Sequence, residues 1–116
     1  MEITDKSYDP IGKLLVKEIR GMVMQAKNLR PAAGSEPRIG LIVLTVDPKS
    51  DPGHAGSLYS IVWVSFHRTG PGVFQPLFLN SKVGVCREDQ VKLVADKAME
   101  DTQRVIGELY KSLQGK

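Results

Sequence analysis

Apolar positions along this chain keep two rhythms. From Ile11 they recur at steps of three and four, through Leu14, Leu15, Ile19, Met22, Val23, Ala26 and Leu29, which predicts an amphipathic helix. Asp9-Pro10 supplies its start, a capping side chain followed by a proline at the first helical position, and Pro31 ends it. Gly12 and Gly21 lie inside and each costs about 1 kcal/mol against alanine, so the helix depends on packing. Gly21 reads as a point of close approach by another backbone. Residues 1–8 ahead of it read as a short, frayed leader.

The rhythm then changes. Ile39 to Val46 is almost continuously apolar and rich in β-branched residues, the pattern of a strand buried on both faces. Residues 47–57, with two prolines and two glycines, read as a mobile loop. In Leu58 to His67 both alternating rows are largely apolar: Leu58, Val62, Val64 and Phe66 on one side, Tyr59, Ile61 and Trp63 on the other. Thr69-Gly70-Pro71-Gly72 predicts a turn and Val73 to Leu79 a third strand. Pro76 lacks an N–H and assigns that strand to a sheet edge. Asn80 to Val85 reads as a loop. A long helix starts near Arg87, with Glu88 and Asp89 in its first turn, where the helix dipole favours negative charge. Val91, Ala95, Ala98, Thr102, Val105, Leu109 and Leu113 form its apolar stripe.

The expected architecture is one α+β domain of order α-β-β-β-α, a three-stranded antiparallel meander with an N-terminal and a long C-terminal helix. With both helices on one face, the other face lacks a cover, although its strands are apolar on both sides. A lone copy rarely exposes such a patch. Self-association as a homodimer is the expected solution.

Composition narrows the reading. A chain of 116 residues suits one domain, and 41% hydrophobic with 25% charged residues excludes disordered and fibrous classes. The net charge of +3 permits a nucleic-acid partner without demanding one. A single cysteine, Cys86, cannot form an internal disulfide, which fits a reducing, cytoplasmic setting. No secretory leader pattern and no apolar run long enough to cross a bilayer is found, so no membrane partner is expected.

Candidate chemistry is sparse. There is no phosphate-cradling, zinc-protease, nucleophile-elbow or paired-cysteine motif, so no catalytic residue, metal site or cofactor is assigned and the chain reads as non-enzymatic. His54, in a loop with Asp51, lacks the neighbouring ligands a closed metal site needs. Cys86 sits where a helix N-terminus can activate a thiol, but no base is placed beside it. Lys13, Lys17, Arg20 and Lys27 share one helix stripe, with Arg68 and Lys82 as further cations. This stripe suits a phosphate backbone or an acidic protein. Tyr59, Trp63, Phe74 and His54 are the expected contacts for a protein partner. The function expected is a protein–protein interaction module: an adaptor, an assembly component or a small inhibitor of a larger machine. Its partners are itself and an unidentified protein. The alternative is a nucleic-acid binder using the basic stripe.

Asp51-Pro52-Gly53-His54, followed by Tyr59 and Val62-Trp63-Val64, resembles the loop signature between the first strands of double-stranded-RNA-binding domains, over roughly residues 37–67. That resemblance implies an α-β-β-β-α fold and an RNA partner. The chain departs from the family at Arg87-Glu88-Asp89, where a phosphate-gripping lysine cluster is required. The element order is also similar to that of small dimeric nucleoid-associated proteins.

Overall fold

A computed structural model describes residues 1–26, 38–47 and 56–114. The elements run β1 (Glu2–Ser7), α1 (Pro10–Gln25), β2 (Arg38–Val46), β3 (Gly56–Gly70), β4 (Val73–Arg87), a single 3-10 turn (Glu88–Gln90) and α2 (Val91–Gln114). They build one four-stranded sheet of order β1-β2-β3-β4 with both helices on one side. The class is α+β, as expected, but the three-stranded antiparallel meander is corrected in two respects. The described residues form four strands, and β1 runs parallel to β2.

The additional strand is the supposed leader. Glu2 to Ser7 pairs with Gly40 to Thr45, and Ile3 packs on the core while Glu2 and Lys6 stay exposed. Backbone pairing rather than apolar content holds this edge strand. Its presence makes the order β-α-β-β-β-α, which departs from both families resembled. A second correction concerns 80–85: these residues continue β4 to Arg87 and form no loop. Of the loop expected at 47–57, residues 48–55 lie outside the described residues, and Gly56 and Ser57 already belong to β3, paired with Arg87 and Cys86.

The α1 start matches expectation. Asp9 Oδ2 accepts from Gly12 N–H at 3.1 Å, with Pro10 opening the helix. Gly12, not Gly21, is the close approach. A Cβ on Gly12 would lie 2.6 Å from Thr45 Cβ and 2.7 Å from Asp9 Oδ1, whereas a Cβ on Gly21 would meet nothing within 4 Å among the described residues. At the β3–β4 hairpin, Pro71 and Gly72 take the two corner positions. Gly72 has φ +71°, the conformation a type II turn asks of its second corner.

The core lies between the helices and one face of the sheet. Leu15, Val16, Ile19 and Val23 of α1 and Val91, Ala95, Ala98 and Val105 of α2 close on Leu41, Val43, Tyr59, Ile61 and Trp63. Trp63 is fully buried, and its indole N–H needs an acceptor. Thr102 Oγ1 accepts it at 2.8 Å and donates to the Ala98 carbonyl at 2.7 Å. This explains a threonine within the apolar stripe of α2. Tyr59 lies over Gly84 of β4, where a Cβ would be 2.6 Å from its hydroxyl.

Candidate functional site: the open face of the sheet

Alternation decides which side chains reach the other face. On β3, Tyr59, Ile61 and Trp63 face the helices, so Leu58, Ser60, Val62, Val64 and Phe66 face away. Strand register extends these into cross-sheet rows. Val46, Leu58 and Val85 form one row; Lys6, Leu44, Ser60 and Val83 the next; then Thr4, Ile42, Val62 and Ser81; then Glu2, Gly40, Val64 and Phe78. Phe66 closes the series beside Pro76, with its ring over Gly40, where a Cβ would fall 2.5 Å away.

Among the described residues no helix or strand covers this face. Val83 is 76% exposed and Phe78 67%, and Leu44, Val46, Leu58 and Val85 are each exposed as well. Strand β4 is patterned the reverse of an ordinary edge strand. Its helix side carries Asn80, Lys82 and Gly84, and its open side Val83 and Val85. The ammonium of Lys82 is satisfied beneath α2 by Asp101, at 3.2 Å, and Asp101 also holds Arg104 at 3.3 Å.

The two sheet edges, by contrast, are defended against strand addition. β1 is short and carries Glu2, Asp5 and Lys6. β4 carries Pro76, an irregularity opposite Trp63 and Val64, and the inward-pointing Lys82. Prolines, bulges and inward charges are the usual means of blunting an edge. The surface left undefended is the open face.

Two of the four residues expected to bind a protein partner lie away from this face. Trp63 and Tyr59 are buried in the core and are not available to a partner. The alternation was read correctly, but the larger aromatics belong to the helix-covered row. His54 and the side chain of Phe74 lie outside the described residues. Of the basic stripe, Lys13, Lys17 and Arg20 are exposed on α1. Lys13 Nζ donates to the Ser7 carbonyl at 3.3 Å, and Asp5 lies close enough to Lys13 and Arg20 to feel both charges. Lys82 is paired, and Lys27 and the side chain of Arg68 lie outside the described residues. The residues that make the open face (Leu44, Val46, Leu58, Phe78, Val83 and Val85) were not singled out. The signal available for β4 was the Val83-Gly84-Val85 alternation beyond Pro76.

A polar cluster lies under the N-terminus of α1. Thr45 Oγ1 donates to Asp9 Oδ1 at 2.6 Å, and Ser57 Oγ is buried beside them without a hydrogen bond of ordinary geometry. Burial opposes the charge on Asp9, but the hydrogen bonds from Thr45 and Gly12 N–H, with the Ser57 hydroxyl dipole close by, outweigh it and hold the carboxyl below its usual range. Burial, reinforced by the charges of Asp9 and Asp89, pushes the Cys86 thiol up. A buried thiol with a raised pKa is a poor nucleophile. The cluster is the hydrogen-bonded seat of a helix cap. Among the described residues no three potential ligands gather to hold a metal ion, and no helix is long and apolar enough to cross a membrane. No family model matches the chain, and comparison with curated proteins and with solved structures finds no match.

Proposed function

We propose that the protein is a non-enzymatic protein–protein interaction module that works through the open face of its sheet and forms a homodimer there. Such a module acts by occupying a protein surface, as an adaptor, an assembly component or a small inhibitor. The observation that carries this reading is the uncovered apolar face between two defended edges. Patches of this kind on soluble domains are commonly binding surfaces. The lone buried thiol suits a reducing compartment, and a cytoplasmic setting is part of the proposal.

The nucleic-acid reading is weaker. Lys82 is committed to Asp101, and Asp5 offsets the charge of Lys13 and Arg20. Among the described residues what remains is a short stripe on one helix, with fewer cations than a dedicated phosphate-binding surface carries.

Light scattering with Val83→Asp tests the proposal. Val83 is 76% exposed, so the substitution removes no core packing. The wild-type chain is expected at twice 12.8 kDa. The variant is expected at the single mass with an unchanged circular dichroism spectrum. A wild-type chain that stays at the single mass at high concentration, fully soluble, overturns the homodimer.

A further inference from the structure

We propose that two copies stack open face to open face with their strands antiparallel, so that Phe78 of each copy seats against Val83 of the other and Glu2 of each meets Lys6 of the other. The inference rests on the homodimer reading and adds its geometry.

Face-to-face packing about a two-fold axis leaves two simple choices. An axis along the strands stacks β1 on β4, which presses Lys6 against Val83 and Glu2 against Phe78. That arrangement buries charges on apolar side chains without partners, and burying an unpaired charge is costly. An axis across the strands, over the Thr4–Ile42–Val62–Ser81 row, stacks each strand on its own counterpart with the ends exchanged. Rows equally distant from the axis then meet. Glu2 and Gly40 lie two residues to one side of it, Lys6 and Leu44 two residues to the other. Glu2 therefore faces Lys6, and Leu44 comes against the Phe66 ring that covers Gly40. On β4, Phe78 meets Val83. Farther out, Phe66 meets Leu58, Pro76 meets Val85, and Arg38, registered with Phe66, falls opposite Val46. Apolar positions meet at Phe78–Val83, Phe66–Leu58 and Pro76–Val85, Val64 meets Ser60, and Glu2 pairs with Lys6, whereas Arg38, the first residue of β2, falls opposite an apolar position under either axis and does not choose between them.

The size is sufficient. The face from Leu58 to Phe66 is ~26 Å long at ~3.3 Å per residue, and four strands at ~4.8 Å make it ~19 Å wide. That gives a flat footprint of roughly 500 Å² per copy, or about 1,000 Å² in all before side-chain relief is added. This meets the lower bound for a specific interface. Two such sheets pack as an aligned sandwich, ~10 Å apart.

Two measurements test the geometry separately from the dimer. Ser81→Cys places a thiol on the axis, and Val85→Cys places one well away from it. With a short bismaleimide, Ser81→Cys is expected to cross-link to itself and Val85→Cys is not, the native Cys86 being buried. Charge exchange reads the second contact. Lys6→Glu is expected to weaken the dimer about tenfold at low salt, by setting like charges opposite each other twice. Glu2→Lys combined with Lys6→Glu is expected to restore it. A general net-charge effect predicts the reverse for Lys6→Glu alone, since it brings the chain nearer neutrality. A dimer by mass that fails to cross-link at Ser81, or that ignores the charge exchange, overturns this geometry and leaves the homodimer standing. A single mass for the wild type overturns both.

Discussion

Two glycines in the same helix carry opposite consequences, and the difference lies in what surrounds each. At Gly12 the α1 backbone sits against Thr45 and Asp9, and an added methyl group would drive into both. At Gly21 a methyl group would meet none of the described residues. Gly12→Ala is therefore expected to destabilise the fold by about 1–3 kcal/mol through overpacking, beyond any gain in helix propensity. Gly21→Ala is expected to stabilise it by about 0.5–1 kcal/mol. Urea unfolding measures both as midpoint shifts of opposite sign. Equal shifts would mean that the close approach at Gly12 relaxes without cost. The sequence shows that a helix with two internal glycines needs tertiary support, but not which glycine meets a neighbour. That depends on Thr45, far along the chain, and only the folded register brings it there.

At the level of elements, the best-read segments have one strongly apolar face. α1, β2, β3 and α2 follow the periodicities of Ile11–Ala26, Ile39–Val46, Leu58–Phe66 and Val91–Val105. The strand that escaped notice, β1, presents only Ile3 as an apolar anchor and takes its order from hydrogen bonding to β2. The second half of β4 was misread because its polarity is inverted. A lysine pointing under a helix and valines pointing outward contradict the usual rule for an edge strand. The second apolar face was legible as a property of β3, whereas its membership was not. Choosing between the Trp63 row and the Leu58 row needs the position of the helices. The Trp63–Thr102 bond ties β3 to α2 and makes that choice firm. Thr102→Val keeps the shape but strands the indole N–H in the core, and is expected to cost about 1–3 kcal/mol. Thermal unfolding followed by tryptophan fluorescence checks it, and an unchanged transition would show that the bond contributes nothing net.

As a whole the molecule is elongated, 51 Å by 25 Å by 23 Å, because β3 and β4 are fifteen residues long and β2 only nine. The hairpin thus projects past the four-stranded body and exposes Val73 and Leu77 near its tip. A two-stranded ribbon is marginal on its own. In the proposed sandwich its base rests on the second copy, so folding and association are linked. The melting temperature is then expected to rise with protein concentration, and Val83→Asp to abolish that dependence. A concentration-independent transition in the wild type would separate stability from assembly. The parallel pairing of β1 also bears on synthesis. β1 is translated before β2, its only neighbour in the sheet, and the whole of α1 comes between them. At roughly 5–20 residues per second the nascent segment waits seconds for its complement. Through that delay β1 has no strand of its own sheet to pair with, and its charges at Glu2, Asp5 and Lys6 disfavour pairing with a stranger.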